Sequence, residues 1–241
     1  MENAENRKVI CGNEFPEFCY KAYENEDYTK QFIENGIFRL NCLHYCKNME
    51  GKRRDPTEGR AHTLEPNILS VGYVSTKNPP EETIWTKEEG FQESRPELNN
   101  PIFCFCTCLP DVDLAYISDR FKSKYIVKIN EPRTLAEEIA SYLSSRGENF
   151  MIVGCKVVYN KGKKLEKKLT ANDRLDLAYK QKPESFSLER EFRIVAIKFG
   201  DPCNREGCKY LDGQFEQVDP GCKYIEINLN KQLNYLSMMN L

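Results

Sequence analysis

What the chain lacks narrows its identity first. No apolar run approaches the ~20 residues that a membrane-spanning helix requires, so no membrane partner is expected. The opening MENAENRK is polar and has no apolar centre of the kind an export signal carries. A cytoplasmic protein is therefore the expectation. Histidine occurs only at His44 and His62, and tryptophan only at Trp85; both histidines read as packed or surface residues. The 35 basic and 37 acidic side chains nearly cancel, so no field of one sign selects a nucleic acid or a membrane surface. Walker, GxGxxG, GxSxG and HExxH motifs are all missing, which sets aside the common NTPase, Rossmann, hydrolase and zincin readings. There is no internal repeat and no low-complexity segment.

Cysteine, by contrast, is plentiful. Eleven thiols without an export signal point to reduced cysteines rather than a disulfide framework. Cys104, Cys106 and Cys108 alternate with Phe103 and Phe105 and read as small hydrophobes on one face of a strand. Cys203, Cys208 and Cys222 lie in a Gly- and charge-rich loop without the paired knuckles of a zinc site. No metal is assigned to them.

The 241 residues read as one α+β domain. A strand at 15–23, a helix at 27–35, a left-handed stop at Gly36 and a strand at 37–43 open the chain. A charged loop follows at 44–60, with DPTEG (55–59) as a turn. A strand is expected at 68–74, an insertion at 77–100 with a satellite cluster of Ile84, Trp85 and Phe91, and a buried strand at 102–109. A short helix at 115–121, a strand at 125–129, a helix at 134–146 opened by a Thr134/Glu137 capping box and a strand at 150–159 come next. The segment 160–184 carries eight Lys/Arg (161, 163, 164, 167, 168, 174, 180, 182) against three acids at 166, 173 and 176 before its last residue, Glu184. It reads as a solvated surface or a phosphate-contacting patch, with Lys164 and Lys168 as substrate contacts. A last strand is expected at 224–229. The tally, eight or nine strands and three or four short helices, gives mixed, largely antiparallel sheet.

The stretch SFSLEREFRIVAIKF (185–199) is the focus. Its alternation runs apolar on both faces beyond Ile194, which suits a central strand. On such a strand Glu189, Glu191 and Arg193 share one face, so each carboxylate raises its neighbour's pKa and the guanidinium lowers both. The plain alternative is a half-exposed edge with a surface ion pair.

Three segments together resemble prokaryotic proteins of anti-phage and abortive-infection loci: CYKAY (19–23) with NGIFRLN (35–41) and RRDPTEG (53–59), then IFCFCTCLPD (102–111), then SFSLEREFRIV (185–195). Those proteins carry a Tyr-Lys-Tyr-like strand, an Asn-Asp-Pro-Phe-Glu-like turn and a closing Glu-x-Glu-[Trp/Tyr]-Arg strand. The same layout is similar to mono-ADP-ribosyltransferases, although their Ser-Thr-Ser strand is absent. The resemblance implies an ADP-ribosyltransferase-like fold and a toxin or antiviral effector that uses NAD as substrate. Its acceptor would be RNA, DNA or protein, and an antitoxin or immunity partner is implied as well. It casts Glu191 as the carboxylate that steadies an oxocarbenium-like state and Glu189 as the group that activates the acceptor. Lys21 and Arg39 would hold the NAD phosphates, and Tyr20 or Tyr45 would stack on a ring of the cofactor. Arg193, Asp55 and Glu58 join the substrate contacts. Two other readings stay open: a Mg²⁺-dependent nuclease built on Asp55, Glu58, Glu189 and Glu191, and a non-enzymatic module binding nucleic acid through its lysines.

Overall fold

A computed structural model describes residues 10–11, 14–43, 63–66, 91–94, 102–163, 171–198, 208–211, 214–217 and 224–239. Among these, nine strands form one sheet: β1 (Ile10–Cys11), β2 (Cys19–Tyr23), β3 (Ile37–Cys42), β6 (Ile102–Cys108), β7 (Tyr125–Ile129), β8 (Phe150–Lys156), β9 (Glu191–Lys198), β12 (Tyr224–Asn228) and β13 (Leu236–Met239). Two separate two-stranded ladders are β4 (Thr63–Pro66) with β5 (Phe91–Ser94) and β10 (Cys208–Leu211) with β11 (Gln214–Gln217). The helices are α1 (Glu26–Asn35), α2 (Leu114–Phe121), α3 (Pro132–Ser145) and α4 (Ala171–Lys180). The architecture is α+β, and every strand pair of the sheet is antiparallel except β1 with β8.

The order β1-β8-β9-β6 makes β9 an inner strand, paired with β6 from Glu191 to Ile197 and with β8 from Phe192 to Lys198. Beyond β6 the sheet forks. The outer edge of β6 pairs with β3 at Asn41↔Cys104 and Cys42↔Phe103, and with β2 at Tyr20↔Cys108. One arm continues β2-β7-β13 and the other β3-β12. Helix α1 joins the two arms, and its Phe32 fills the crotch. That ring lies 5.9 Å from Tyr23 of β2, 5.1 Å from Phe38 of β3 and 5.5 Å from Phe105 of β6, centroid to centroid. A fork cannot be closed by backbone hydrogen bonds, so aromatic packing closes it. Gly36 turns the chain from α1 into β3 at φ 63°, with Leu229 so close that a Cβ there would stand 2.9 Å away.

Both faces of the sheet are covered. One face packs on Phe32 of α1 and on Leu135, Ala136, Ile139 and Leu143 of α3, and receives Phe103, Phe105, Phe192, Ile194 and Ala196. The other carries Ile102, Cys104, Val153, Cys155, Val195 and Ile197 with Tyr179 from α4. The alternation of Cys and Phe in β6 thus sorts the two residue types onto opposite faces, and β9 is buried through Ile197.

Several expected boundaries shift. Helix α1 starts at Glu26 because the Asn25 side chain accepts the Asp27 amide. Helix α3 starts at Pro132, not Thr134, and the expected capping box does not form. Proline takes the first helical position, where no amide hydrogen is needed, and the Thr134 hydroxyl donates to Glu131 Oε2 instead. Strand β8 ends at Lys156, after which Val158 makes an isolated bridge to Gln181. The strand expected from 15 begins at Cys19; Phe15 lies against the bare backbone of Gly154, where a Cβ would meet its ring at 2.4 Å. The strand at 68–74 and the Ile84/Trp85 cluster lie outside the described residues, whereas β5 falls within the expected insertion.

Candidate functional site

The head of β9 differs from the expected continuous strand. Residues Glu184–Glu189 form a 3₁₀ helix, Arg190 follows in the left-handed conformation at φ 45°, and β9 begins only at Glu191. Glu189, Glu191 and Arg193 therefore do not lie on one strand face; only Glu191 and Arg193 do. A non-glycine residue at positive φ is strained. Here it reverses the chain so that Glu189 and Glu191 converge from different elements. The bend is held by the Leu109 amide, which donates to Arg190 O at 2.7 Å, and by an ion pair between Arg190 and Asp111.

The two carboxylates meet three cations. Arg193 Nε donates to Glu191 Oε1 at 2.7 Å, and Arg120 from α2 lies 3.0 Å from Glu189 Oε1. Lys182 Nζ sits between the remaining oxygens, 2.5 Å from Glu191 Oε2 and 3.2 Å from Glu189 Oε2. Glu189, Glu191, Lys182 and Arg193 are all buried. Burial pushes the Glu191 carboxyl up, but the charges of Arg193 and Lys182 outweigh it and hold the group well below the usual carboxylate range. Arg193 is anchored further by donating to Tyr179 O at 2.8 Å.

Two half-buried aromatics border the cluster. The Tyr159 hydroxyl accepts the Glu191 amide at 2.7 Å, and burial, then the charge of Glu191, pushes its phenol up. The Phe186 ring lies 5.1 Å from Lys182 Nζ and 5.5 Å from the Arg120 guanidinium. Cys106, opposite Arg193 in the ladder, is driven well above its ordinary pKa by burial and by Glu191.

The other expected site residues are distributed as follows. Lys21 is not brought to the cluster: it alternates onto the opposite sheet face with Cys19 and Tyr23, where its ammonium donates to Cys106 O at 2.7 Å and lies 4.8 Å from the Phe105 ring. Tyr20 shares a row with the carboxylate, Tyr20↔Cys108 and Cys108↔Glu191, two strands and roughly 10 Å across. Arg39 is not brought to the cluster; it pairs with Glu226 at 3.6 Å and stacks 4.2 Å over Tyr224 on the β3–β12 arm. Tyr45, Asp55, Glu58, Lys164, Lys168, His44 and His62 lie outside the described residues, as do Cys203 and Cys222. Among the described residues no three His, Cys, Asp or Glu side chains group as metal ligands. Where it is described the basic segment is ion-paired: Lys163 with Glu184 at the surface, Lys180 with Asp176, and the buried Lys182 with the carboxylates.

Sequence reasoning missed Arg120, Tyr159 and Phe186, and assigned Lys182 to a surface patch. Nothing in the sequence announces Arg120, whose arrival depends on how α2 packs. No described helix is long and apolar enough to cross a membrane. No protein-family model, curated protein or solved structure matches this chain.

Proposed function

We propose that this chain transfers ADP-ribose from NAD to a macromolecular acceptor, nucleic acid or protein, as a toxin or anti-phage effector. The observation that carries the reading is Glu191: a carboxylate held ionised while buried, at the head of a strand locked on both sides, with a second carboxylate converging on it. A charge kept in that state is organised before any substrate arrives, which is the condition for stabilising a developing cation.

In this reaction the bond between ribose C1′ and the nicotinamide nitrogen breaks, and its electron pair leaves with neutral nicotinamide. Glu191 lowers the energy of the oxocarbenium left at C1′. Glu189 takes the proton of the acceptor nucleophile as that nucleophile bonds to C1′. Tyr159 fixes the start of β9 through the Glu191 amide. Lys21 lies on the opposite face of the sheet and Arg39 on the β3–β12 arm, so neither of the expected phosphate-holding pair stands beside the cluster.

The test is nicotinamide release from NAD by the purified chain, supplied in turn with RNA, DNA and cell protein. Release by the wild type and at least about a hundredfold loss in a folded chain carrying Glu191→Gln are expected. Absence of release from both the wild type and Lys182→Met, or an undiminished rate in folded Glu191→Gln, overturns the reading.

A further inference from the structure

The cluster holds three cations and two carboxylates, and the surplus has an address. Arg120 takes Glu189 Oε1 and Arg193 takes Glu191 Oε1, so each arginine already balances one carboxylate. The two Oε2 atoms face each other across a single ammonium, that of Lys182. The Phe186 ring lies 5.1 Å from the same ammonium. Two carboxylate oxygens and the face of an aromatic ring are the elements from which proteins build sites for organic cations. Buried carboxylates alone would also suit a metal, but the ring favours a cation that is itself apolar at its surface.

We infer that Glu189 Oε2, Glu191 Oε2 and the Phe186 ring form a binding site for a monovalent organic cation, occupied at rest by the protein's own Lys182. The inference deepens the transferase reading, because the nicotinamide ring of NAD carries that charge, but it does not depend on turnover. Lys182 is suited to leave. Its backbone is tied down by its amide donating to Val158 O at 3.0 Å and by the Val158 amide donating to Lys180 O at 2.8 Å. The flexible stem can therefore swing without moving the chain. Between the cluster and solvent lies the short 3₁₀ helix, whose Glu184, Ser185 and Leu188 are exposed while Glu189 is buried. Departure of Lys182 leaves two arginine–carboxylate pairs, electrically neutral, with two Oε2 atoms and the ring facing the position its ammonium held.

The experiment titrates N-methylnicotinamide, a pyridinium cation, and neutral nicotinamide into wild type, Lys182→Met, Lys182→Gln and Lys182→Arg, with calorimetry as the readout. The neutral variants are expected to bind the cation at least about tenfold tighter than wild type or Lys182→Arg, a difference of about 1.4 kcal/mol, with no gain for nicotinamide. Equal affinities across the four chains, or an equal gain for nicotinamide, overturn the inference. Failure of both neutral variants to fold also overturns it, since Lys182 would then be a structural member and not a replaceable one. Tighter cation binding without nicotinamide release from NAD leaves this inference standing and removes the transferase reading. NAD turnover without the gain does the reverse.

Discussion

Replacing Glu191 by Gln removes one of two negative charges from a cluster that already holds three positive ones. Arg193, 1 % exposed, would then face a neutral amide with no access to water. Breaking one partner out of a buried ion pair costs about 3–5 kcal/mol, a large share of the ~5–15 kcal/mol that holds an ordinary domain together. Lys182→Met acts differently. It removes two charge-assisted contacts but leaves Arg120–Glu189 and Arg193–Glu191 balanced, so the loss is about 1–3 kcal/mol. Combining the two restores the original excess of one positive charge, and the double variant should be more stable than the summed single losses by about 1–3 kcal/mol. Urea unfolding of the four chains measures this from midpoints and slopes. Additivity within about 0.5 kcal/mol would show that Lys182 and Glu191 do not share a charge balance and would refute the reasoning. The double variant is also the background in which loss of chemistry at Glu191 can be separated from loss of fold.

Three further outcomes follow from the same geometry. Glu191 is held below the usual range when folded and titrates near ~4.3 when unfolded; the unfolded chain therefore binds more protons in acid, and stability present above pH ~4.3 falls as pH drops below it. The urea midpoint should decline between pH 5 and pH 3, less so in the double variant, and an unchanged midpoint contradicts the assignment. Burial pushes the Cys19, Cys108 and Cys155 thiols up to about 12; at pH 8 they should alkylate on the order of 10³-fold slower than unfolded thiols, and labelling followed by mass spectrometry would show any that react freely. Arg190→Gly should change stability by less than about 1 kcal/mol, because relief of the left-handed strain offsets the lost exposed pair with Asp111. Arg190→Val should cost about 1–2 kcal/mol, and similar urea midpoints for the two would show that φ 45° is not enforced.

Much of the sheet was legible because period-two patterns in β6 and β9 and the capped, glycine-stopped α1 are local signals. The fork was not, since Phe32 reads as any apolar helix residue until β2 and β3 are known to divide one edge of β6. At the site, Glu191 and Arg193 were correctly paired as neighbours two apart on a strand. Glu189 was placed on that strand because nothing in LEREF signals a 3₁₀ helix ended by a left-handed arginine; glycine would have been the usual marker. Lys182 reads as one lysine among many, and its burial is decided by carboxylates that no local pattern connects to it.

The inner position of β9 has a consequence for synthesis. Its partner β6 is finished at Cys108, yet β9 itself runs from Glu191 to Lys198, so the edge it covers stays open while the intervening chain is made. At 5–20 residues per second, roughly 5–18 s separate the emergence of Cys108 from that of Lys198. During that interval the aromatic cluster around Phe32 has only part of its shelter. The nascent chain is then most exposed to chaperones, to aggregation and to any partner that binds it before the carboxylates have come together.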